Sequence, residues 1–455
     1  MARVLSALLF ISAVTLNGCS PVRNSSDLQP PSFPQPPTGD ITKVNHIIFM
    51  LQENRGFDHY FGQLNAYRQS KGLPADVDVT PANASQLAYD KSTTFTPFHM
   101  LSMCVEDMSP YWNESHNAWN HADHTSPVPA LDGFANAAGG DSRLAGGFDI
   151  NGQRVMGYYT DQDLPYYYFM ATQFAMSDRW FSPVMTNTPA NRLYSMAATS
   201  QGIISKPVNN LTINTIFDSL QAEGITWKNY VPDYPNGSSL KPFQAYAKYV
   251  GTNIVPMGEY FADLQSGMLP QVAFIDRDSI NGLDEHPGAG ISVQRGAAYV
   301  KNIIDALMNS TAWKNSIFFF SFDEFGGFYD HVAPVKTVSP DGIKPMLNPN
   351  DVCTTRNTSA GGPLDMCDFD ITGYRLPNFV VSPFSRPHYV DHQNIDTTAI
   401  LTFIEKRFGL KHLTQRDATQ PDISTMFDFA NAPNTNPPQP PSQPTSGPCY
   451  VNALP

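Results

Sequence analysis

His46-Ile-Ile-Phe-Met-Leu-Gln-Glu53-Asn54-Arg55-Gly56-Phe57-Asp58-His59-Tyr60-Phe61-Gly62 begins as an apolar run and stops at an acid–amide pair followed by glycine. Far downstream, Phe318-Phe-Phe-Ser-Phe-Asp323-Glu324-Phe325-Gly326-Gly327-Phe328-Tyr329-Asp330-His331 repeats the pattern. A strand covered on both faces reads as continuous apolar residues instead of alternating ones. Ligands of such sheets bind at the carboxyl ends of the strands. Two strands that deliver Glu53-Asn54 and Asp323-Glu324 to one edge would build a hard oxygen site for a divalent cation such as Mg²⁺, Ca²⁺ or Mn²⁺.

Working outward, further strands are expected at Ile225–Val231, Gln271–Ile275 and Asn378–Val381. Helices are expected at Thr215–Glu223, Val293–Met308 and Thr397–Phe408, the first and last stopping at Gly224 and Gly409. Strand–helix alternation of this kind predicts an α/β fold with a mainly parallel central sheet covered by helices on both faces. Ala66 to Gly157 reads as irregular, suited to long loops over the active edge.

The 455 residues carry a formal net charge of −13 and only 15% charged side chains, which excludes a nucleic-acid footprint. Arg3 followed by the apolar Val4 to Leu16 reads as a signal peptide over 1–18. Leu16-Asn17-Gly18-Cys19 is shaped like a lipoprotein cleavage box, so Cys19 is a candidate lipid anchor. Residues 19–40 are a Pro/Ser-rich tether, 41–430 one large domain, and 431–455 a Pro-rich tail. The expected destination is export, as a periplasmic or outer-membrane lipoprotein or a secreted protein. With Cys19 set aside, four cysteines remain, an even number that suggests two disulfides. Cys353 and Cys367 share one loop, leaving Cys104 for Cys449.

Phe181-Ser-Pro-Val-Met-Thr186-Asn187-Thr188-Pro189-Ala190-Asn191-Arg192 places hydroxyls just before a helix expected from Asn191. A hydroxyl at a helix N-terminus lies beside backbone N–H donors that favour phosphate. A coordinated cation would make it a nucleophile. Arg192 and Asn191 would hold phosphate oxygens there. His286, in Leu283-Asp284-Glu285-His286-Pro287, is a candidate general acid. His116 and Asn117, in Trp112-Asn-Glu-Ser-His116-Asn117, are further candidates, and His331 is balanced between support and plain structure.

Together these motifs resemble the bacterial phosphoesterases that include non-haemolytic phospholipases C and an acid phosphatase. The resemblance runs from about Val44 to Asp417. It implies an alkaline-phosphatase-like core and makes 41–430 a phosphoesterase catalytic domain. It also implies a divalent cation held by Glu53, Asn54, Asp323, Glu324 and a nucleophilic Thr188, with Thr186 as fallback. His116 and His286 would support phosphoryl transfer, and the partner would be a phosphate ester or phospholipid headgroup. Three positions depart from the family pattern: Ala190 inside the nucleophile motif, Phe325 after the second acid pair, and Thr397 where a histidine is common. Sulfatases share the architecture but need a modified Cys or Ser where this chain has Thr188. The chain stops soon after the core, which tilts the expectation from a dedicated phospholipase C towards a broader phosphomonoesterase or phosphodiesterase. The alternative from another class is a non-catalytic surface lipoprotein that binds phosphorylated headgroups.

Overall fold

The computed structural model describes residues 39–205, 209–354 and 366–455. The expected signal peptide, Cys19 and nearly all of the tether lie outside the described residues. The central sheet is built from β1 (His46–Gln52), β2 (Trp227–Val231), β3 (Ile254–Pro256), β4 (Val272–Ile275), β5 (Ser316–Phe322) and β6 (Phe379–Val381). Its order is β6-β5-β1-β4-β2-β3, parallel throughout except that β6 runs antiparallel to β5. The helices that matter below are α1 (Phe57–Phe61), α2 (Trp112–Trp119), α3 (Pro165–Gln173), α4 (Thr188–Ala197), α5 (Ile216–Ala222), α6 (Val293–Met308) and α7 (Ala399–Phe408).

The apolar runs behave as expected. Every residue of β1 after His46, and every residue of β5, is buried. Successive side chains of a strand point to opposite faces, so both faces of the sheet are covered. Phe319 packs on Phe403 of α7 with ring centres 5.5 Å apart, whereas Phe320 turns to Tyr167 of α3 at 5.1 Å. Phe49, in register with Phe319, lies against Phe217 of α5. A fully buried phenylalanine stabilises the fold by about 1.5–3 kcal/mol, which is why this phenylalanine-rich centre can carry the buried charges described below.

Helix ends follow local chemistry. Thr215 caps α5 and exchanges hydrogen bonds with Asp218, and Gly224 turns the chain out with φ +69°. Gly409 ends α7 in the left-handed region. The stretch from Ala66 to Gly157 is not irregular throughout: it holds α2 and a twelve-residue helix, Phe134–Ala145. Both expected disulfides are present, Cys104–Cys449 and Cys353–Cys367. The first ties the Pro-rich tail to the body, where Met103 N–H also donates to the Pro448 carbonyl at 2.6 Å. No helix among the described residues is long and apolar enough to cross a membrane.

Candidate active site

The strand order explains the site. β1 lies between β5 and β4, all three parallel, so their carboxyl ends open on one edge. Gln52 is in register with Phe322, and Glu53 and Asp323 leave the sheet side by side. On the other flank Met50 is in register with Ile275, and Arg277 follows two residues later.

Past the strand, the chain turns sharply. Asn54 takes φ +57°, and its backbone N–H donates to Asp323 Oδ1 at 3.1 Å. The same oxygen accepts from Glu324 N–H at 2.8 Å, and Glu324 Oε2 accepts from Gly326 N–H at 2.7 Å. Gly326 (φ +67°) is required, because a Cβ there would lie 2.0 Å from the Asn54 carbonyl oxygen. The third wall is the loop after β4, fixed by Glu53 N–H donating to the Asp284 carbonyl at 3.0 Å.

Thr188 is the first residue of α4 and remains partly exposed. Its hydroxyl donates to Asn54 Oδ1 at 3.2 Å. The helix therefore begins three residues earlier than expected, with Pro189 in its first turn, where a missing N–H costs nothing. His286 joins the group with Nε2 3.3 Å from Asn54 Nδ2. Its Nδ1 donates to the Pro287 carbonyl at 2.7 Å, which turns Nε2 towards the cleft.

Glu53, Asp323 and Glu324 are all buried. Arg192 spans the first two, 3.3 Å from Glu53 and 3.1 Å from Asp323, and Arg277 also pairs with Glu53. Burial pushes Glu53 up, but Arg277 and Arg192 outweigh it and hold it below the usual carboxylate range. Asp323 is pushed up by burial and by Glu53. Glu324 is also pushed up, through burial and then the charge of Asp323, and its Oε1 is buried without a hydrogen-bond partner.

Other expected residues are placed elsewhere. His116 is buried in α2, with Nδ1 2.6 Å from the Trp112 carbonyl and Nε2 2.8 Å from the Met366 carbonyl. With both nitrogens taken by backbone carbonyls the ring packs beside Trp112, and burial lowers it to about 4. Asn117 is engaged between Asn136 and His121. Asn191 accepts from Val184 N–H and donates to the Thr186 and Asn187 carbonyls, so it shapes the loop before Thr188 and is not aimed at a substrate. The Thr186 hydroxyl donates to the Ile204 carbonyl at 2.5 Å and is buried, which removes it as a fallback nucleophile. His331 is a supporting residue, 2.7 Å from Asp58 and 3.0 Å from Asp78. Arg277, which the sequence reading passed over, stands at a strand end just as Glu53 does, and that position was the signal.

With this geometry in hand, the comparisons with known proteins agree in direction. The family model described as Phosphoesterase family matches residues 44–411. The chain belongs to that family. It is a hydrolase acting on phosphoric ester bonds. It is similar to phospholipase C B of Mycobacterium tuberculosis, 29% identical, with 92% of this chain and 83% of the relative covered. It is also similar to the non-hemolytic phospholipase C of Pseudomonas aeruginosa, 27% identical, with 88% of this chain and 59% of the relative covered. Among solved structures, a protein in the alkaline phosphatase superfamily from Vibrio parahaemolyticus is 10% identical and covers 79% of this chain and 78% of its own, with a TM-score of 0.35.

One buried carboxyl behind the site invites a test. Glu285 accepts from Tyr60 at 2.6 Å, from Tyr167, and from Gln52 at 3.3 Å. Burial pushes it from 4.5 up to about 7. The folded chain holds this proton more tightly than the unfolded one. Its stabilisation is therefore complete below pH 4.5 and is lost as pH rises through 7. Across that window wild type should lose roughly 3 kcal/mol more than Glu285→Gln does. Urea melts of both proteins at a series of pH values check this, and parallel curves would show that Glu285 does not titrate there.

Proposed function

We propose that this chain is an exported, metal-dependent phosphoesterase that works through Thr188 and acts on phosphate monoesters or diesters, phospholipid headgroups among them. One observation carries the reading. A partly exposed helix-N-terminal hydroxyl contacts Asn54 at 3.2 Å, above three buried carboxylates that strand ends bring together.

The residues present fit a divalent cation. Glu53, Asp323, Glu324, the Asn54 amide oxygen and the Thr188 hydroxyl would supply an all-oxygen donor set of the kind hard cations take. Glu324 Oε1, buried with no hydrogen-bond partner among the described residues, is the atom a cation would satisfy. When bound, the cation would neutralise these acids and favour the ionised hydroxyl.

The protein's own groups then divide the work. Thr188 Oγ, its proton released to solvent, attacks phosphorus in line, forming an O–P bond as the ester O–P bond breaks. His286 passes a proton to the departing alcohol oxygen. Arg192 and Arg277 supply fixed positive charge close to the phosphate oxygens. Water then cleaves the phosphothreonine, releasing phosphate from a monoester substrate or a phosphomonoester from a diester. Export is supported by the Arg3 and Val4–Leu16 leader pattern and by two disulfides, which persist in oxidising compartments. Relatives named phospholipase C support the phospholipid option.

The test compares p-nitrophenyl phosphate with p-nitrophenylphosphorylcholine, each with and without chelator. The expected result is turnover that chelation abolishes and that one added divalent cation restores. Turnover unaffected by chelation would remove the metal from the reading. The ratio of the two rates separates monoesterase from phospholipase C activity.

A further inference from the structure

Thr188 stands on the rim of two cavities, and they differ in charge. The larger, about 720 Å³, is lined by three acids, Glu53, Glu114 and Asp351, against one cation, Arg277. The smaller, about 420 Å³, is bounded by Arg192, Arg277 and Lys241, with Asn236, Ser238 and Ser239 completing its wall. No carboxylate is among the described residues that line it. Its size is within the range of small-ligand sites.

The three cations are not equivalent. Arg192 and Arg277 are held by the buried acids at the strand ends. Lys241 is exposed and makes no ion pair among the described residues. Independently, Arg192 Nη1 is buried with no hydrogen-bond partner, on a side chain only 5% exposed. A buried donor left unsatisfied is costly, and an anionic oxygen in the adjoining cavity would satisfy it. Cations that line a walled cavity also raise the local concentration of anionic ligands.

Resting on the reading that the scissile phosphorus sits at Thr188, we propose that the smaller cavity receives a second anionic group of the same substrate. The preferred substrate is thus a phosphoester whose organic part carries a carboxylate or another phosphate. Lys241 is the residue that selects for it. Asn236, at the cavity wall, supplies a further side-chain donor.

The probe pair is 3-phosphoglycerate and glycerol 3-phosphate, which differ by a carboxylate in place of a hydroxymethyl group. Binding is measured by calorimetry on the full chain carrying Thr188→Ala, so that the result does not depend on turnover. The carboxylate compound should bind about tenfold tighter, as expected for one added charge-assisted contact. Lys241→Gln should shrink that ratio towards one, and Lys241→Arg should keep it. Because Lys241 is exposed, neither change threatens folding. Equal affinities in the Thr188→Ala chain, or a ratio that survives Lys241→Gln, would overturn the proposal. Hydrolysis of p-nitrophenyl phosphate by wild type is followed separately. Its failure would count against the hydrolytic role of Thr188 and leave the binding ratio to decide the second subsite.

Discussion

Thr188→Ala is expected to lower kcat towards p-nitrophenyl phosphate by about a thousandfold or more, the usual consequence of losing a nucleophile. Thr188→Ser should keep much of the rate, because it preserves the oxygen and loses only a methyl group. The hydroxyls at Thr186 and Ser195, before and after it in the chain, are engaged elsewhere. Thr186 is committed to the Ile204 carbonyl, and Ser195 to the Arg192 carbonyl at 2.8 Å. The effect on stability should be small by comparison. Thr188 is partly exposed, it is not the capping residue of α4, and it gives up one hydrogen bond of 3.2 Å. Such a bond is worth about 1 kcal/mol. Kinetics and thermal melts on the same samples therefore separate chemistry from folding. Acid-quenched wild type should also yield a peptide phosphorylated on Thr188. If Thr188→Ala kept its rate within tenfold, Thr188 would not be the nucleophile, and the hydroxyl contact with Asn54 would be structural only.

What the sequence could reveal depended on how local the cause was. β1 and β5 were legible because burial on both faces requires an unbroken apolar run, and Glu53-Asn54 and Asp323-Glu324 mark where each run ends. Capping is equally local, which is why Thr215 and Gly224 bracket α5 as expected. β3 was missed because it is three residues long, ends in Pro256 and lies at the sheet edge, too short for any periodicity to register. The start of α4 was placed too late because Thr188-Pro189 reads as a turn, although proline suits a first helical turn. His116 illustrates the harder limit. It was expected in a loop over the active edge, yet Trp112, Ser115, His116 and Trp119 share the buried face of an eight-residue helix. Both its ring nitrogens then meet backbone carbonyls, one of them 250 residues away in sequence. Asn191 has the same lesson in reverse, since its motif was right and its target was the loop backbone. Whether a polar side chain faces solvent, substrate or main chain is a tertiary fact that no local pattern contains.

The second large effect concerns Arg375, which reaches across the molecule to hold the catalytic edge in shape. It is fully buried, with Asp58 at 2.9 Å and Asp330 at 2.6 Å. It also donates to the carbonyls of Asp78 and Asp178, and its guanidinium lies 4.4 Å from the centre of the Phe57 ring. Its own carbonyl accepts from Phe57 N–H at 3.1 Å. The network therefore joins α1, which follows Glu53-Asn54, to the turn that follows Asp323-Glu324. Arg375→Met keeps the bulk and removes the charge, which leaves two buried carboxylates with His331 as their remaining close cation. Burial alone would push His331 down, but Asp58 outweighs it and holds the imidazole above its ordinary value. One imidazolium cannot compensate both acids. Breaking a buried pair in this way costs about 3–5 kcal/mol, to be read from urea denaturation at pH 8. The loss should shrink at pH 5. Asp330 is already pushed up by burial, against the pull of Arg375, and without that pull the folded variant would bind a proton more tightly than the unfolded chain, so it gains stability as pH falls. Arg375→Lys should fall between, since one ammonium cannot reproduce the fork that meets Asp58, Asp330 and two carbonyls together. A cost below about 1 kcal/mol at pH 8, the range of exposed ion pairs, would show that the packing of Phe57 and Phe328 fixes this edge without the arginine.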